Sequence, residues 1–126
     1  MYKKVIVGMV AFALMTVLFA ACTIVDASSL NQGPQAHMGN AAFKEASIAV
    51  KKGQKLILVD DVAVQHIIVN GTWNGSAQDP KLEPGAPKVN VSIAGGASAV
   101  GPFTQAGTFN LYCTIHAGMQ IKVIVS

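Results

Sequence analysis

Gly107-Thr108-Phe109-Asn110-Leu111-Tyr112-Cys113, Thr114-Ile115-His116-Ala117-Gly118 and Met119-Gln120-Ile121-Lys122-Val123-Ile124-Val125 follow one another near the end of the chain. In the first segment Phe109, Leu111 and Cys113 share one parity; in the last, Ile121, Val123 and Val125 share one while Gln120, Lys122 and Ile124 take the other. A period of two is the mark of a strand whose alternate side chains face one core. Cys113 therefore points inward, and the residues after it form a tight loop before the final strand.

Working outward, the same kind of short β-prone run recurs at Ser47–Val50, Lys55–Val59, His66–Val69 and Lys88–Ile93. Lys52-Gly53, Asn70-Gly71, Asn74-Gly75, Pro84-Gly85 and Ala106-Gly107 punctuate them, and no segment holds a helical period. The expectation is an all-β sandwich of about seven to eight strands over residues 43–126. Residues 71–87, rich in Gly and Pro, are expected to be an irregular excursion over one end. Asn70-Gly71-Thr72 is expected to be a plain turn and Asp60-Asp61 a solvated one, with Trp73 packing under the long loop or capping the sandwich. A folded unit of ~80 residues buries only about two-thirds of its surface, so a ligand bound by the native state alone adds stability.

The beginning of the chain has a different character. Met1-Tyr2-Lys3-Lys4 precedes an uncharged run from Val5 to Ala21, which ends Leu18-Phe19-Ala20-Ala21-Cys22. A charged start, an apolar middle and small residues before a boundary make an export signal over residues 1–21. The Cys after two alanines resembles a bacterial lipobox, with lipid on Cys22 anchoring the chain to the membrane. An uncleaved anchor and an ordinary cleaved signal are the alternatives. All three place the domain outside the cytoplasm, on the outer face of the membrane or in the periplasm. Residues 22–42, with Asn31-Gln32-Gly33-Pro34 and Met38-Gly39-Asn40, are expected to be a flexible tether, and His37 and Met38 a solvated part of it.

The formal net charge of +3 shrinks once the signal is set aside. Lys3 and Lys4 are two of the nine basic residues, leaving seven against six acidic ones. Neither a nucleic-acid patch nor a polybasic membrane face is supported. Cysteine usage is more telling. An exported domain with two cysteines normally forms a disulfide, but Cys22 lies in the lipid motif, and Cys113 is left as a lone thiol that burial or a metal must protect.

Cys113, His116 and Met119 bring thiolate, imidazole and thioether within seven residues, and His66 opens its own strand forty-seven residues upstream. Two imidazoles, a thiolate and a weak thioether suit one copper ion in both oxidation states. Zinc is the rival, but closed zinc sites favour four strong ligands and rarely use Met. Iron–sulfur and haem sites have the wrong Cys count or spacing. Four protein ligands leave no open position for substrate, which points to an electron carrier and not an enzyme. A copper-delivery protein without redox cycling is the second reading, and a structural β-sandwich that binds no tight metal is the third.

The Cys-x2-His-x2-Met loop, the Gly53-Gln54-Lys55 run, His66 and the Gly107-Thr108-Phe109 lead into the Cys strand resemble the cupredoxins, the small blue copper proteins of the plastocyanin, amicyanin and pseudoazurin group, with an amicyanin-like short ligand loop. The resemblance covers about residues 45–126. It implies a Greek-key β-sandwich, copper at one end held by His66, Cys113, His116 and Met119, and a monomer shuttling single electrons between redox partners. Those partners would dock transiently at the His116 edge, exposed among Ala117, Gly118 and apolar residues such as Pro102. Two residues depart from the pattern. Ile67 stands where the family has an Asn that ties the ligand loops together, leaving only a backbone N–H for the Cys113 sulfur. Ile115 replaces a Pro and restores an N–H; donated to the same sulfur, it is expected to raise the potential.

Overall fold

The structure is a computed structural model and describes residues 33–126. The signal segment, Cys22 and the first part of the tether lie outside the described residues. Nine strands are present among the described residues and no helix: β1 (Gln35–Met38), β2 (Ser47–Val50), β3 (Leu56–Asp60), β4 (His66–Asn74), β5 (Ala77–Pro80), β6 (Asn90–Ile93), β7 (Gly96–Val100), β8 (Gly107–Cys113) and β9 (Gln120–Val125).

They form two mixed sheets. One has the order β1-β3-β7, the other β2-β9-β8-β4-β5 with β6 also paired to β4. The decisive pair is antiparallel β8–β9, with Phe109 opposite Val123 and Leu111 opposite Ile121. All four of these side chains are buried, whereas Gln120, Lys122 and Ile124 face outward. Leu56, Leu58 and Val100 enter the same packed cluster from the three-stranded sheet, with Phe103 beside them. Each such side chain contributes roughly 1.5–3 kcal/mol by leaving water. The all-β sandwich expected from the alternation is the observed fold.

Three expectations are corrected. Residues 33–42 are not a tether: β1 pairs in parallel with β3, Ala36 opposite Leu58 and Met38 opposite Asp60. Gln35-Ala36-His37-Met38 alternates, and both apolar members are 0% exposed. The turn after it is closed by Gly39 N–H to Ala42 O (2.9 Å) and Lys44 N–H to His37 O (2.8 Å). The folded unit therefore starts before residue 43, because a row of β3 main-chain groups is satisfied by β1 and not by water.

Residues 71–87 are not wholly irregular either. β4 runs on to Asn74 and returns through β5, with Trp73 opposite Gln78. Gly71 makes this possible. Its φ of +126° lies in a region that side chains avoid, and a Cβ there would meet Asp79 O at 2.3 Å. At this residue β4 leaves its pairing with β6 and begins pairing with β5. Buried Asn70 ties down the remaining loop, accepting from Val89 N–H (2.6 Å) and donating to Pro87 O (3.0 Å).

The third correction concerns Asp60-Asp61. Asp61 is partly exposed and bonds Lys44 Nζ (2.6 Å) and His37 Nδ1 (3.0 Å). Asp60, however, is buried, because it continues the inward parity of Leu56 and Leu58.

Candidate metal centre

His66 opens β4 and lies opposite Ile93 of β6, while two residues further Ile68 lies opposite Cys113 of β8. The β4–β8 ladder thus brings the end of the Cys strand beside the start of the His strand. His66 and Cys113 are both 0% exposed. The loop from Cys113 is then folded back on itself by main-chain bonds. Cys113 N–H donates to Met119 O (2.9 Å), and Met119 N–H to His116 O (3.1 Å). Gly118, with φ of +78°, supplies the left-handed turn this closure needs. Met119 is buried in the same packed cluster as Cys113, and His116 is half-buried.

The donor atoms converge. Cys113 Sγ lies 3.4 Å from His116 Nδ1 and 3.9 Å from His66 Nδ1. The three ligand atoms are all within 4.8 Å of one another, and the two imidazole rings sit 5.0 Å apart, tilted by 58°. Ligands at ~2.0–2.3 Å around a trigonal first-row ion are separated by about 3.7 Å, so this spacing fits an ion between them. Burial pushes the His66 pKa below its ordinary value of 6.5, against the opposing pull of Asp60. At neutral pH this favours the uncharged ring, the form that binds a metal, while in acid the ring takes up a proton. Thiol, two imidazoles and a buried thioether together are a donor set for copper.

The residues around this centre differ from expectation in several ways. The N–H groups of Ile67 and Ile115, both available in principle to the Cys113 sulfur, do not bond it: among the described residues the only hydrogen-bonding neighbours of Sγ are the two imidazole Nδ1 atoms. Ile67 instead accepts through its carbonyl from Thr114 N–H (2.9 Å), so the backbone itself joins the two ligand segments. Ile115 is 48% exposed on the loop surface. Pro102 is not beside His116. The β3–β7 register sets Gly96 against Asp60 and Val100 against Leu56, and Phe103 N–H bonds Gln54 O, so Pro102 lies toward the opposite end of the three-stranded sheet.

Two residues missed as contributors support the site. Trp73 Nε1 donates to Cys113 O (2.8 Å), and Gln78 Nε2 to Thr114 O (3.2 Å), so the β4–β5 hairpin grips the ligand loop. Trp73 also stands edge-on to Tyr112, with ring centroids 5.9 Å apart. Reading Asn70-Gly71 as a turn hid this hairpin. Asp60 lies with Oδ1 3.9 Å from His66 Nε2, and the parity of β3 was the signal that could have found it.

Comparison with known proteins agrees with this geometry. Residues 31–126 match the family profile for copper binding proteins of the plastocyanin/azurin family. Among solved structures, amicyanin from Paracoccus versutus (Thiobacillus versutus) superposes with a TM-score of 0.57 at 19% identity, covering 75% of this chain and 82% of that one. A reduced single-site mutant of amicyanin gives a TM-score of 0.55 at 20% identity, covering 76% and 84%. An oxidised mutant gives 0.53 at 22% identity, again covering 76% and 84%. No curated protein sequence matches. The superpositions bear on the fold, whereas the profile spans the whole described sandwich and both ligand segments; the chain belongs to the plastocyanin/azurin family of copper-binding proteins, the cupredoxins, with one copper ion as its cofactor.

Proposed function

We propose that this protein carries single electrons between redox partners outside the cytoplasmic membrane, using one copper held by His66, Cys113, His116 and Met119. The observation that carries this reading is the convergence of three donor atoms within 4.8 Å on a buried, hydrogen-bonded frame. Bound copper supplies a one-electron Cu(II)/Cu(I) couple. The chain's own part is to keep its donors in one arrangement whatever the charge at the centre. The Cys113–Met119 and His116–Met119 main-chain bonds and the Trp73 and Gln78 side chains restrain the loop, and the burial of His66, Cys113 and Met119 keeps water away. With four protein donors there is no position for a substrate, which favours a carrier over an enzyme.

His116 is the donor nearest to solvent, flanked by exposed Ile115, Ala117 and Gly118. A small apolar surface of this kind suits brief, weak docking. We place the chain on the membrane through lipid on Cys22, on the strength of the Leu18-Phe19-Ala20-Ala21-Cys22 sequence. The carrier reading is tested by cycling the copper-loaded protein repeatedly between oxidant and reductant in the presence of a Cu(I) chelator. Full recovery of the oxidised spectrum over many cycles is expected. Transfer of the ion to the chelator on the first reduction would instead identify a copper donor.

A further inference from the structure

Asp60 ends β3 with its side chain wholly buried, as is that of His66. Its Oδ2 accepts from Gly95 N–H at 2.6 Å and its Oδ1 from Val62 N–H at 3.1 Å. These bonds hold the turn after β3 against the turn before β7. A neutral side chain such as Asn or Ser could cap the same turn, so the hydrogen bonds alone do not account for a buried carboxylate, which costs several kcal/mol to desolvate. What the charge faces is His66. Oδ1 lies 3.9 Å from Nε2, the ring edge turned away from Cys113. No hydrogen bond of good geometry reaches that buried Nε2; besides Asp60, only the main chain of Gly39 acts favourably on the ring.

We propose that Asp60 is a positioning residue for the copper centre: its buried carboxylate keeps His66 in the Nε2–H form with the Nδ1 lone pair aimed at Cys113, and favours Cu(II) over Cu(I). The inference rests on the copper reading above. At 3.9 Å the contact is electrostatic and not a hydrogen bond; a carboxylate at that ring edge favours the tautomer that turns an N–H toward it, in the sense of the outer partners of metal-bound histidines. A fixed negative charge in a poorly polarisable interior also stabilises the more highly charged ion. The amide donors of Gly95 and Val62 keep the carboxylate in place whether or not the ring is metal-bound. His66 is the only ionisable group within ion-pair distance of Asp60 among the described residues.

The experiment has two arms. In the metal-free wild-type protein, nitrogen-15 NMR of the histidine ring reads the His66 tautomer without any copper. The Nε2–H form, with its proton exchanging slowly, is expected; the Nδ1–H form would overturn the proposal. In the copper protein, Asp60→Asn removes the charge and keeps the shape. The ratio of Cu(II) to Cu(I) affinity is expected to fall about tenfold, at the lower end of what such outer partners contribute, and the potential to rise by the corresponding 59 mV or so for one electron. An unchanged potential in a variant that keeps its thiolate-to-copper band would reject the role of Asp60 and leave the carrier reading standing. Failure of the wild-type protein to form that band would remove both. Should Asp60→Asn not fold, Asp60→Ser, which also removes the charge and keeps an acceptor for the Gly95 and Val62 amides, carries the same potential measurement.

Discussion

The indole Nε1 of Trp73 donates to the main-chain oxygen of Cys113 at 2.8 Å, so the β4–β5 hairpin is fastened to the residue that supplies the thiol. Trp73→Phe keeps most of the ring and loses this bond, leaving a part-buried carbonyl without its donor. Stability of the metal-free protein is expected to fall by about 1–3 kcal/mol, read from urea denaturation. Release of copper to a chelator should also accelerate, since the loop loses a restraint. Wild-type behaviour in both measurements would show that the hairpin does not support the site.

Met38 makes a second prediction possible. It is fully buried in a strand that sequence composition had assigned to a tether. Met38→Ala is expected to destabilise the domain by about 2–5 kcal/mol, measured as a shift in the denaturation midpoint. A solvated tether would give no shift.

Acid should weaken the metal-free protein in two stages. Burial holds the folded His66 pKa below 6.5, so just below that pH the unfolded chain binds a proton that the folded chain does not. Stability is then lost as pH falls from about 6.5. For Asp60, burial acts upward but is outweighed by the Gly95 and Val62 amides and the charge of His66, and the folded pKa lies below 3.8. Its contribution is present above 3.8 and is lost as pH falls through the folded value. Copper should move the first loss to lower pH, because the ligand must stay deprotonated. Denaturation midpoints measured from pH 8 to pH 3, with and without copper, check this. A metal-free midpoint that holds level or rises between pH 6.5 and 5 would contradict it.

The sandwich and the Cys113–Met119 loop were legible because both rest on short-range pattern. Parity in Thr108–Cys113 and Gln120–Val125 sets Cys113 inward, and donor chemistry then selects its companions. What escaped depends on partners distant in sequence. β1 is four residues long and gains its place only from β3, so its Gly- and Pro-rich flanks dominated the reading. Gly71 looks like a turn residue but serves a change of pairing within one strand. Asp60 carries a charge that composition assigns to solvent, and only the alternation of Leu56, Leu58 and Asp60 places it inside. The role imagined for Ile115 needed a loop geometry that spacing alone does not define.

The central claim is that Cys113 is a copper ligand among His66, His116 and Met119. Titrating the metal-free domain with Cu(II) while recording the visible spectrum tests it most directly. One equivalent should produce an intense thiolate-to-copper band that bleaches reversibly on reduction and is missing from Cys113→Ser. A wild-type protein that gives no such band, with Cys113 still open to alkylation after copper addition, would contradict the account.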